Sequence, residues 1–195
     1  MSAERPQTRL SLVTEEHMTS AQRDLLASLR SGPRGQSLTP RGPFAAWMHA
    51  PEFGQLAQAL GAHARYKTAL EPRLSEFAIL CTARLWKAQY EWFAHAPMAL
   101  KAGVKAKTIA DLQKGRAPKT APKDERAIFD FVQELYKTRR VGNRNYKRVR
   151  DGLGDKATVE LVGILGYYTL ISMTLNVFGM LPPESEKLAF AEPKV

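Results

Sequence analysis

Glu91 and His95 stand four residues apart in the stretch QYEWFAHAP, residues 89–97. On a helix that spacing brings two side chains together on one face. A carboxylate beside an imidazole can orient the ring, hold its charged form and help move a proton. The plainer alternative is a solvated helix pair, which contributes only about a few tenths of a kcal/mol. Tyr90, Trp92 and Phe93 crowd the same stretch and argue against a fully solvated helix. Glu76 lies earlier, with Ile79, Leu80 and Ala83 on its own side of an apolar run. A carboxylate there loses hydration and needs a cation or hydrogen-bond donors. Arg73, one turn back, or a distant Arg is its expected partner. A zinc site has little support: HxxxH is absent, and Glu91 with His95 would need further ligands from elsewhere. His17, His49 and His63 have no recognisable partners and read as structural or exposed.

The elements that must position these residues read as helices throughout. Thr19 to Gln22 has capping-box spacing ahead of RDLLASLR. The Gly- and Pro-rich stretch 31–43 reads as a loop. A second helical region starts near Phe44, with Pro51 suited to a first turn. The next helix starts at Glu71-Pro72. Leu74, Phe77, Ala78, Cys81 and Leu85 recur there at helical spacing, and a helix apolar on most sides is buried. Gly103 suits a C-terminal stop. Further helices are expected at 105–114, 122–138, near 144–151, and at 156–178, closed by Pro182-Pro183. No alternating strand pattern with hairpin turns is present, so the class is all-α. Residues 114–124 form a connection within one domain spanning 1–195.

Composition narrows the classes. A chain of 195 residues can build one domain with a sizeable core. Hydrophobic residues at 44% and charged residues at 25% match an ordinary globular chain. The single cysteine, Cys81, rules out a disulfide framework, a CxxC pair and a Cys-rich zinc site. One cysteine suits a reducing compartment, and the first residues lack the apolar run of a secretory signal, so a cytoplasmic location is expected. The uncharged stretch between Glu160 and Glu184 is long enough to span a bilayer. Gly, Ser, Thr and Asn interrupt it, and Lys and Arg do not gather at one end, so it reads as a core or interface helix rather than a membrane span.

The net charge of +10 is uneven. Residues 105–150 hold 14 Lys and Arg against 5 Asp and Glu, whereas the rest of the chain holds 15 against 14. Such a region can serve as a solvated face, or meet nucleic acid, an acidic partner or an anionic substrate. No nucleic-acid-binding motif accompanies it.

RLSEFAILCTARLWKAQYEWFAHAPMALKAGV, residues 73–104, resembles the core motif of the carboxymuconolactone decarboxylase family, within the alkylhydroperoxidase D-like superfamily. FAAWMHAPEFGQLAQAL at 44–60 and GYYTLISMTLNVFGMLPP at 166–183 are similar to the family's first and closing core helices. The resemblance covers most of 40–183, leaving 1–39 as an N-terminal extension and 184–195 as a tail. It implies an alkylhydroperoxidase D-like helical bundle that forms a homo-oligomer, often a trimer or a hexamer. In the redox branch an acid precedes a CxxC pair with a His between or after the cysteines. Glu76 matches the acid, Ala88 and Glu91 occupy the cysteine positions, Tyr90 the intervening position and His95 the downstream His. Thiol peroxidase chemistry needs a thiolate and a resolving thiol, and neither stands there.

Glu76, Glu91 and His95 resemble the decarboxylase branch instead. That branch implies loss of CO2 from a small carboxylated lactone in aromatic catabolism, with neither metal nor organic cofactor. His95 would be the acid because its reference pKa lies near neutrality, Glu91 would orient it, and Glu76 would be a second acid or base. Arg41, Arg65 and Arg84 are candidates to hold the substrate carboxylate, with Tyr90 and Trp92 beside them. Two other readings stay open: a relative with thiol-independent hydrolysis or isomerisation, and a non-catalytic helical oligomer binding nucleic acid or an acidic partner through 105–150. One geometric condition follows. In an unbroken helix Glu76 and Glu91 would lie roughly 22 Å apart along the axis. The resemblance implies a break near Leu85-Trp86-Lys87-Ala88, where no Gly or Pro announces one.

Overall fold

A computed structural model describes residues 8–32 and 35–191. Parts of the N-terminal extension, the 31–43 loop and the tail fall at 1–7, 33–34 and 192–195, outside the described residues. The described chain is all-helical: α1 Ser20–Ser31, α2 Pro43–Trp47, α3 Pro51–Tyr66, α4 Pro72–Trp86, α5 Gln89–Lys101, α6 Ala106–Gln113, α7 Lys123–Thr138 and α8 Asn143–Val177. A short 3-10 turn at Glu15–His17 precedes α1.

Local chemistry accounts for the helix starts. Thr19 accepts from the Gln22 amide while the Gln22 side chain accepts from the Thr19 amide, closing the capping box of α1. Pro43, Pro51 and Pro72 stand in the first turns of α2, α3 and α4, where a missing N–H removes no helical bond.

The centre of the molecule is α4. Every residue from Leu74 to Ala83 is buried, and the helix contacts α5, α6, α7 and α8. Arg73 fastens its start: Nη2 lies 2.5 Å from Asp124 Oδ2 and Nη1 lies 2.6 Å from Glu125 Oε1 of α7. The expected Arg73–Glu76 pair does not form, because α7 supplies Arg73 with these two carboxylates, and Glu71 lies 3.8 Å away.

The helix breaks where the site requires it. Lys87 takes a left-handed backbone conformation at φ 49°, and α5 begins at Gln89. Its amide and that of Ala88 bond back to carbonyls in the last turn of α4, so the chain reverses without glycine. Helix α8 runs from Asn143 to Val177, but its backbone is non-helical at Gly154, with φ 82° and ψ 168°. The basic segment and the apolar segment, expected as two helices, meet at that kink. The apolar segment is the one helix long and apolar enough to cross a bilayer by length and composition among the described residues. Half of its apolar window is buried, with Leu161, Ile164, Leu165 and Leu175 in the core. That is the pattern of a core helix.

Both ends of the described chain fold back over the bundle. Near the start, the Arg9 amide and the Thr8 hydroxyl donate to the Phe178 carbonyl, at 3.0 and 3.1 Å. Near the end, the buried Gln89 amide clamps the tail. Its Oε1 accepts from the Ala189 and Phe190 amides, and its Nε2 donates to the Phe190 carbonyl.

Candidate active site

The turn at Lys87 folds α5 back along α4 and brings Glu76 to His95. Glu76 Oε2 lies 2.6 Å from His95 Nδ1, and Glu91 Oε1 lies 3.1 Å from His95 Nε2. All three side chains are buried. The ring is thus held between two carboxylates, one per nitrogen, and both nitrogens donate when the ring is protonated. Burial is the largest single influence on His95 and disfavours its charge. The charge of Glu91, hydrogen bonds to Glu76 and Glu91 and the charge of Glu76 together outweigh it and push the pKa up to about 9. At neutral pH His95 is therefore an imidazolium. The ring keeps its proton because two carboxylates hold it, and not because its ordinary value lies near neutrality.

A cavity of about 260 Å³ opens beside this cluster. Tyr90, Glu91, Ala94 and His95 of α5 line one wall, and Tyr167, Tyr168 and Ile171 of α8 line another. Arg41, on the loop before α2, and Arg65, in the last turn of α3, also line it, with Leu38, Thr39, Pro43 and Phe44. Glu76 does not reach the cavity; it holds the far side of the imidazole. Neither Arg41 nor Arg65 forms a salt bridge with a carboxylate among the described residues. Arg65 Nη2 instead donates to the Met98 sulfur, and its guanidinium stacks 5.2 Å from the Tyr66 ring centre. The two cations leave the cavity suited to an anion.

Two of the expected binding residues lie elsewhere. Arg84 Nε donates to the Gln113 carbonyl at 3.0 Å, and its guanidinium covers the Phe190 ring. Trp92 packs edge-on against the same ring, with centres 5.1 Å apart. Both serve the face that holds the C-terminal segment. The other histidines are exposed, as expected, and make structural contacts: His17 Nδ1 lies 2.9 Å from Thr14 Oγ1, His49 Nε2 lies 3.0 Å from the Ser11 carbonyl oxygen, and His63 Nε2 lies 3.5 Å from Glu160 Oε1.

Tyr167 and Tyr168, not among the residues expected at the site, line the cavity from α8. The Tyr168 ring meets His95 edge-on, with centres 5.1 Å apart at 84°. Burial first, then the Glu91 charge, pushes its phenol well above the ordinary range, so it keeps its proton. Two adjacent tyrosines in the uncharged stretch of this helix are the available signal, since a buried phenol needs a polar neighbour. Cys81 is buried in α4, and burial pushes its thiol far up as well. In the basic region, Arg148 pairs with Asp130, Arg150 with Asp151, and both Lys107 and Arg116 with Asp111.

The described fold defines the protein's class only as an all-α domain with a buried Glu–His–Glu cluster beside a cationic cavity. No family model matches the chain, and no curated protein matches it.

Proposed function

We propose that the protein is a cofactor-free lyase of the carboxymuconolactone decarboxylase type, acting on a small carboxylated lactone by acid–base chemistry. The observation that carries this reading is the Glu76–His95–Glu91 cluster, with His95 and Glu91 facing a cavity that also presents Arg41 and Arg65. The resemblance of residues 73–104 to that family supports it.

In this reading the arginines hold the substrate carboxylates and the lactone oxygen. The bond to the departing carboxylate breaks, CO2 leaves, and the electron pair delocalises into the unsaturated lactone. The arginines stabilise the developing oxyanion. His95 then delivers its proton to carbon on the Glu91 side, and a solvent proton restores the imidazolium. Glu76 fixes the ring through Nδ1. The protein works as a homo-oligomer, consistent with exposed apolar side chains on α3 (Leu56, Leu60) and α8 (Val159, Val162, Met173, Val177).

The test is turnover of 4-carboxymuconolactone. Wild-type protein should consume it, and His95→Ala and Glu91→Gln should each lose roughly 10²–10⁴-fold in rate, the usual range for a positioned acid or base. A folded wild type that leaves the lactone intact refutes the proposed substrate. Turnover retained in His95→Ala refutes the site.

A further inference from the structure

We propose that the cavity around Glu91 and His95 is the inner half of a two-part ligand site, whose outer half takes the apolar chain of a carboxylic acid. The inference rests on the acid–base reading only for what happens to the acid group; the two-part geometry stands apart from it.

The outer half is a chamber of about 590 Å³. It lies between the 8–12 segment, the loop before α2, the outer side of α5 and the 179–184 segment. Leu12, Phe93, Met180 and Leu181 give it apolar walls. Arg41 and Tyr90 line both spaces, so they form the boundary where the spaces adjoin. The Tyr90 ring packs closely against the loop at Gly42. A Cβ placed there would fall 2.5 Å from the ring, and Gly42 also takes φ 54°. The boundary is therefore one aromatic ring and one guanidinium.

Size and charge set the direction of the ligand. Small-molecule sites typically occupy about 300–1,000 Å³. The inner cavity, at about 260 Å³, falls short of that, whereas the outer chamber lies within it. The inner cavity holds two arginines, Glu91 and His95. The outer lining holds one cation, the shared Arg41, and one carboxylate, Glu184, among the described residues. A ligand carboxylate is drawn inward to Arg41 and Arg65 and repelled by Glu184. A carbon chain attached to it then passes over Tyr90 toward Phe93 and Leu181. The ligand class is an acid carrying several apolar carbons beyond its polar head.

The experiment is calorimetric titration of the full chain at neutral pH with butyrate and with octanoate. Four added methylenes, fully buried, predict about two-hundredfold tighter binding of octanoate. Leu181→Asp should weaken octanoate at least tenfold and move butyrate no more than twofold. Leu12→Asp, at a side chain 79% exposed and so harmless to folding, should act in the same direction. Arg41→Gln should weaken both acids. Equal affinities for the two acids, absence of binding, or a chain-length preference that survives both Asp variants would each overturn the two-part site. A preference persisting without lactone turnover would refute the proposed reaction alone. Turnover that depends on His95, with no chain-length preference, would refute the two-part site alone.

Discussion

His95 is a histidine whose two nitrogens are both occupied by carboxylates in a buried setting, and that fixes its behaviour with pH. The ordinary value of 6.5 moves to about 9 in the folded chain. A group raised on folding stabilises the fold fully below its unfolded pKa and loses that contribution as pH rises through the folded one. The window here runs from about pH 6.5 to about pH 9. Imidazole resonances followed by NMR should show His95 titrating near the upper end, and Glu91→Gln should move that titration down, since Glu91 exerts the largest opposing charge. His95→Gln leaves two buried carboxylates without their cation. It should lower stability by about 3–5 kcal/mol at pH 6, the usual loss when one member of a buried pair is removed. Urea unfolding of both chains should show that gap narrowing by pH 10. A gap that stays constant from pH 6 to 10 would mean the imidazole is uncharged in the fold.

At the scale of elements, the turn between α4 and α5 carries the site. Lys87 holds a left-handed conformation that costs a residue with a Cβ about 1–2 kcal/mol. Lys87→Gly should therefore be more stable than Lys87→Ile by at least that amount in urea unfolding. The reverse order would mean that α4 and α5 run on as one helix. This turn also marks how far the sequence was legible. The Glu91–His95 pair follows directly from i, i+4 spacing. The Thr19 capping box and the start of α4 at Pro72 followed from capping and first-turn proline signals, and α6 and α7 lie within a residue of the expected 105–114 and 122–138. The Glu76–His95 contact did not, because Leu85-Trp86-Lys87-Ala88 contains no residue that prefers to break a helix. Tertiary packing of α5 against α4 overrides propensity there. Arg84 illustrates the same limit for side chains. It stands near the motif in sequence, but its position on the last turn of α4 directs it to Gln113 and Phe190. Nearness along the chain says little about which side of a helix a long side chain serves.

At the scale of the whole molecule, the reversal at Lys87 has a consequence for the order of assembly. Glu76 and His95 are only 19 residues apart in sequence. The carboxylate of Glu160, by contrast, ties α8 to the Ala69 amide across 91 residues. Closing a short loop loses less chain entropy than closing a long one. The α4–α5 hairpin should accordingly be formed in the folding transition state, and the docking of α8 should follow it. Stopped-flow refolding should show Phe77→Leu slowing folding, whereas Glu160→Gln should mainly speed unfolding. The opposite partition would place α8 first. On this account the acid–base cluster belongs to the earliest-ordering part of the polypeptide, and a nascent chain would pair its buried charges before the last helix shuts water out.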